Sequence, residues 1–164
     1  MKIYFAGPLF SEADRDWIRK TIREIENLAR VGGKEVTIIF PYDLMTVDEL
    51  ERIGDQAKYE IFSRCKSHIE DADIVMALLD GTQVDDGTAW EIGYYYRGRA
   101  EGSLIIGIRT DFRNAGESRT SVVNAMIECS CDWIARSTEE LLKILSELME
   151  KHREISITAS AGSL

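Results

Sequence analysis

The alternation of apolar and polar positions divides this chain into short strands and longer helices. Lys2 to Ala6 is an apolar run cut off by Gly7-Pro8, the signature of a strand ending in a sharp turn. Ser11 with Asp14 three residues on reads as a helix start. Ile18, Ile22, Ile25 and Ala29 then recur at helical spacing until Gly32-Gly33. Val36 to Phe40 is a second strand, closed by Pro41, and the polar segment from Tyr42 to Gly54 reads as a loop carrying a short helix. From Asp55 to Glu70 the four-residue steps of Ile61, Cys65 and Ile69 predict another helix.

Ile74 to Leu79 has no polar alternation, as expected of a strand covered on both faces in the middle of a parallel sheet. Trp90 to Arg99 reads as a helix, Leu104 to Ile108 as a fourth strand, Val122 to Cys129 as a short helix and Trp133 to Ala135 as a fifth strand. Ser137 with Glu140 forms a capping box for a last helix to about Lys151. The resulting order, βαβαβαβαβα, predicts an α/β fold: an open, doubly wound five-stranded parallel sheet with helices on both faces. Sites in such sheets lie at the carboxyl ends of the strands, which selects the loops Gly7 to Phe10, Asp80 to Thr88 and Thr110 to Asn124.

Composition narrows the class. A chain of 164 residues supports one domain, read here as residues 1–152, with a small polar tail at 153–164 expected to be disordered. A net charge of −9 disfavours nucleic acid, whose binding draws on Lys and Arg, and no segment is long and apolar enough for a membrane span. With no leader pattern at the amino terminus, a cytoplasmic location is expected. Cys65, Cys129 and Cys131 are an odd set, read as reduced thiols, and His68 and His152 sit alone, so no metal site is assigned. Neither a GxGxxG nor a Walker A pattern is present.

The chemistry concentrates in DGTQVDDGTAWEIGYYY, Asp80 to Tyr96. With a helix starting near Trp90, Glu91 falls in its first turn, where the macrodipole would hold it ionised at neutral pH by roughly 0.3–1 kcal/mol. A positioned carboxylate can attack an anomeric carbon, and a second acid, Asp85 or Asp86, can manage the proton of the leaving group. The competing reading is that these acids decorate a helix start. Tyr4 points from the first strand toward the same edge of the sheet, and Gly7 lets a ligand approach the backbone.

IYFAGPLF at Ile3 to Phe10, ADIVMALLDG at Ala72 to Gly81, DDGTAWEIGYYY at Asp85 to Tyr96, IIGIRTDFR at Ile105 to Arg113 and NAMI at Asn124 to Ile127 together resemble the nucleoside 2-deoxyribosyltransferases. The resemblance runs from about residue 2 to 148. It implies a flavodoxin-like sheet and cofactor-free transfer of 2-deoxyribose between nucleobases, using a 2′-deoxynucleoside and a free base as substrates, in nucleotide salvage. It further implies Glu91 as nucleophile, Asp85 as the acid that handles the base proton, Tyr4 as the group orienting Glu91, and Phe10 beside the base. Gly7 and Gly87 belong to the same substrate-binding segments. Asn124 and Met126 match a segment that completes a neighbouring subunit's site, so a homo-oligomer is expected.

One departure is Cys65, which stands where many members carry an aspartate; a buried cysteine normally packs as a small hydrophobe. The nearest alternative is a 2′-deoxynucleoside 5′-monophosphate N-glycosidase, which gives the sugar to water. Pro8, Phe10, Asp85 and Asn124 stand where those enzymes have phosphate-binding and serine residues. An alternative of another class is a non-catalytic nucleoside-binding module, since the fold alone decides nothing.

Overall fold

The computed structural model describes the backbone over residues 1–161 and side chains over residues 1–151. Five parallel strands, β1 (Lys2–Ala6), β2 (Thr37–Ile39), β3 (Ile74–Leu78), β4 (Leu104–Ile108) and β5 (Trp133–Ala135), lie in the order β2-β1-β3-β4-β5. Six helices connect and cover them: α1 (Glu12–Val31), α2 (Val47–Ile53), α3 (Ala57–Glu70), α4 (Asp86–Gly98), α5 (Ala125–Glu128) and α6 (Thr138–Ala161). This is the flavodoxin-like α/β arrangement expected from the element order, and its strand order reverses between β1 and β3.

Strand periodicity sorts the core into two layers. Ile3 and Phe5 of β1 and Ile74, Met76 and Leu78 of β3 face α1 and α6, meeting Ile18, Ile25, Leu141 and Leu145. Tyr4, Ala6, Val75 and Ala77 face the other way, toward Ile69 of α3 and Ile92 and Tyr95 of α4. All five residues of β3 are buried, which explains its missing polar alternation. Gly7 is required by this packing: a Cβ there would meet Ile18 Cδ1 at 2.9 Å, so α1 could not lie as close to the end of β1.

Three boundaries differ from the sequence pattern by more than two residues. Helix α4 starts at Asp86 rather than Trp90, because Asp85 Oδ2 caps it, accepting from the Thr88 N–H at 3.0 Å and from Thr88 Oγ1 at 3.1 Å. The polar stretch DDGT reads as loop in the sequence, which concealed that cap. Helix α5 is confined to Ala125–Glu128, because Glu128 turns back and accepts the N–H of Val122 at 2.9 Å, holding that residue outside the helix. Helix α6 is assigned to Ala161, past Lys151, so the tail expected to be disordered overlaps helical backbone up to that residue; its side chains and residues 162–164 lie outside the described part. Among the described residues no helix is long and apolar enough to cross a membrane.

Candidate active site

At the β1/β3 switch point, Tyr4 rises from β1 toward α4 and its hydroxyl donates to Glu91 Oε1 at 2.5 Å. Tyr4 is fully buried. Burial, followed by the charge of Glu91, pushes its hydroxyl far above the usual phenol range, so it remains a donor at any physiological pH. Glu91 sits in the second turn of α4, not the first, because the helix begins at Asp86. Its carboxyl is pushed up from 4.5 to about 7, chiefly by burial and further by the negative charge of Asp85, while the Tyr4 hydrogen bond opposes the rise.

This corrects the expectation that Glu91 is firmly ionised at neutral pH. At about 1.36 kcal/mol per pH unit, the move from 4.5 to about 7 corresponds to about 3 kcal/mol. The helix terminus offers at most about 1 kcal/mol, and only within its first turn. Desolvation therefore wins, and near neutral pH Glu91 exchanges between acid and carboxylate.

Cys65 of α3 completes the cluster. Its half-buried thiol lies close enough to Tyr4 and Glu91 for each to perturb it, and burial pushes the thiol up, so it is neutral at pH 7. Cys65 also lines an apolar cavity of about 490 Å³ whose wall includes Phe10, Tyr42, Leu44, Met45, Val47 and Ile61. Most of the wall comes from the segment read in the sequence as a polar loop; apolar residues spaced along an irregular chain carry no periodic signal.

Several polar groups of this cavity are already engaged. Asp43 accepts from Arg19 Nη1 at 3.0 Å and from Arg19 Nη2 at 2.6 Å, and Thr46 exchanges hydrogen bonds with Glu49 at 3.1 and 3.2 Å. The Leu9 carbonyl accepts from Arg15 and the Leu44 carbonyl from Arg64, at 2.7 and 2.8 Å. What remains for a guest is chiefly apolar surface, with Phe10 87% exposed.

The family model described as nucleoside 2-deoxyribosyltransferase matches residues 3–126, which span β1, the whole Tyr4–Cys65–Glu91 cluster and the start of α5. The chain belongs to this family. Nucleoside 2-deoxyribosyltransferases are glycosyl-transferring enzymes that act on 2′-deoxynucleosides. Among solved structures, a conserved protein from Enterococcus faecalis V583 is 24% identical with a TM-score of 0.67, covering 93% of this chain and 98% of its own. The 2-deoxyribosyltransferase of Bacillus psychrosaccharolyticus is 23% identical with a TM-score of 0.68, covering 87% of this chain and 90% of its own. The 2-desoxiribosyltransferase of Leishmania mexicana is 22% identical with a TM-score of 0.62, covering 89% and 97%. At these identities the three share the fold with this chain. No curated protein matches it.

The other residues singled out in the sequence are placed as follows in this 2-deoxyribosyltransferase-family chain. Gly87 is exposed in the first turn of α4, where a Cβ would stand 3.2 Å from Asp85 Oδ2 and crowd the cap. Asp80 is structural: its Oδ1 accepts from the N–H of Thr110 at 2.6 Å and of Asp111 at 2.9 Å, stapling the loops after β3 and β4. Asn124 and Met126 are exposed at the start of α5, Met126 at 79%. Asn124 lines a second cavity, of about 390 Å³, whose wall includes none of Tyr4, Cys65 and Glu91. Of the aromatic run, Tyr95 is buried and donates to the Ala72 carbonyl at 2.8 Å, while Tyr94 stacks on Trp90 with ring centroids 4.9 Å apart.

Proposed function

We propose that this protein transfers 2-deoxyribose between nucleobases through a covalent deoxyribosyl-Glu91 intermediate. The observation that carries the proposal is the part-buried Tyr4–Glu91 pair at the switch point, with Cys65 both beside the pair and in the wall of an apolar cavity. Tyr4 engages Oε1 and leaves Oε2 as the attacking oxygen. A bond forms from Oε2 to C1′ as the N-glycosidic bond breaks through an oxocarbenium-like transition state. The departing base keeps the electron pair and takes a proton from Asp85. In the second half, an incoming base attacks C1′ with its ring nitrogen, Asp85 recovers the proton, and Glu91 leaves as carboxylate.

The reaction needs no cofactor. The base lies against the apolar wall beside Phe10, and the loop bearing Gly7 and the first turn of α4 bearing Gly87 let the substrate approach the main chain. Asn124 and Met126 of a second copy hold the sugar hydroxyls, so the working enzyme is a homo-oligomer, and its role is nucleoside salvage in the cytoplasm. The exposure of both residues in one chain supports this arrangement.

The test is base exchange. Incubated with 2′-deoxyinosine and adenine, the enzyme forms 2′-deoxyadenosine and hypoxanthine, and Glu91→Ala abolishes both. Free sugar with no exchanged nucleoside would make it a hydrolase. Binding without turnover in the wild type would make it a nucleoside-binding module.

A further inference from the structure

The loop between β4 and α5 holds a contact with no role in the chemistry above. Glu117 reaches across seven residues to Asn124: its Oε1 accepts from Asn124 Nδ2 at 2.5 Å, and its Oε2 accepts from the Ala125 N–H at 2.9 Å. Asn124 Oδ1 in turn accepts from the Met126 N–H at 3.0 Å, capping α5. The two ends of the Asn124 amide are thereby assigned without ambiguity, since a carboxylate only accepts and a main-chain N–H only donates.

The bracing continues around the loop. Gly116, next to Glu117, lies so close to Ser121 and the Val123 carbonyl that a Cβ would stand 2.2 and 2.3 Å from them. Glu128 Oε2 holds the Val122 N–H at 2.9 Å, and the Ala115 N–H donates to the Val122 carbonyl at 3.2 Å. The segment is largely exposed, yet its backbone leaves Asn124 little freedom, and among the described residues the charged contact on the Asn124 side chain is Glu117.

We propose that Glu117 is a positioning residue: it fixes the flip of the Asn124 amide and polarises it toward a sugar hydroxyl of the bound nucleoside. The proposal rests on the reading of Asn124 as a sugar ligand. A charge-assisted bond to Nδ2 draws positive charge onto the nitrogen and leaves Oδ1 a stronger acceptor, with one Nδ2 hydrogen still free to donate. Holding the group in its bound orientation before substrate arrives removes an ordering cost from the transition state.

The test compares 2′-deoxyinosine with 2′,3′-dideoxyinosine and 2′,5′-dideoxyinosine as donors, in the full-length enzyme and its Glu117→Ala, Glu117→Gln and Asn124→Ala variants. Glu117→Ala is expected to lower kcat/KM on 2′-deoxyinosine by about ten- to a hundredfold. On the donor lacking the hydroxyl that Asn124 holds, its loss shrinks to about threefold or less, as for any group whose partner is already gone. Glu117→Gln keeps one acceptor for Nδ2 and recovers part of the loss. An equal loss on all three donors would make Glu117 a purely structural brace and overturn the proposal, as would no loss on any. If Asn124→Ala abolishes the hydroxyl preference while Glu117→Ala retains it, the proposal alone falls. If Asn124→Ala loses equally on all three donors and so keeps the hydroxyl preference, the reading of Asn124 falls and takes the proposal with it.

Discussion

Replacing Glu91 by Gln should make this protein more stable, and more so the higher the pH. In the native state the carboxyl titrates at about 7 against an ordinary 4.5, so between those values the folded chain binds more protons than the unfolded one. Stability therefore falls as pH rises through that window. It is fully present below about 4.5 and is lost once Glu91 ionises above about 7. Integrated to pH 8 the native state carries a penalty of about 3 kcal/mol, and at pH 5 of about 1 kcal/mol. A Gln side chain has nearly the same volume, still accepts the Tyr4 hydroxyl and has no charge to desolvate. Glu91→Gln is thus expected to raise Tm by roughly 6–12 °C at pH 8, with an offset about three times smaller at pH 5. Thermal unfolding of both proteins at the two pH values is the assay. A variant that melts at or below the wild type at pH 8, or an offset equal at pH 5 and 8, would refute the claim that desolvation dominates at Glu91.

The same titration governs turnover, because only the carboxylate attacks. The kcat/KM profile should rise through about pH 7, and Tyr4→Phe should displace that limb to higher pH, since the Tyr4 bond opposes the upward shift; an unmoved or acid-shifted limb would refute it. Cys65→Asp places a second carboxylate beside Tyr4 and Glu91 and should move the limb the same way, read from the same profile. Because the wall of the cavity is chiefly apolar, unsubstituted purine should serve as acceptor within about tenfold of adenine in kcat/KM. A loss of about 10⁴ in competition kinetics would mean that the cavity reads exocyclic groups by hydrogen bonding. Arg109, fully buried and donating to the carbonyls of Leu79, Gly81 and Arg113, should cost about 3–5 kcal/mol in urea unfolding when changed to Met, because those carbonyls lose their donor. A cost under about 1 kcal/mol would contradict that accounting.

Strands were the most legible elements. β1, β4 and β5 run from Lys2 to Ala6, Leu104 to Ile108 and Trp133 to Ala135 as their apolar runs indicate, because the chain must bury those runs and turn residues bound them. Helix starts were less so. The pattern placed the start of α4 at its first large apolar residue, Trp90, whereas the physical start is the Asp85 cap, a contact made by a side chain that also reads as loop. That displacement of four residues moved Glu91 out of the first turn, while the rise of its carboxyl to about 7 comes from burial, which the local pattern does not carry. The wall of the apolar cavity was hidden for a different reason: Tyr42, Leu44, Met45 and Val47 are spaced without a period, and only the return of α3 makes them one surface.

The sequence by itself determined the parallel sheet and its central buried strand, because local patterning suffices for these, and the resemblance of its motifs to a known family selected Tyr4, Asp85 and Glu91 as candidates. Tertiary structure decided what a one-dimensional pattern cannot carry. The β2-β1-β3 order brings Tyr4 to Glu91 across 87 residues, and the closure of α3 and α4 over β1 withdraws Glu91 from water. The ionisation of Glu91 follows from that withdrawal, since the desolvation of a carboxylate depends on everything packed around it and outweighs the local field of its own helix.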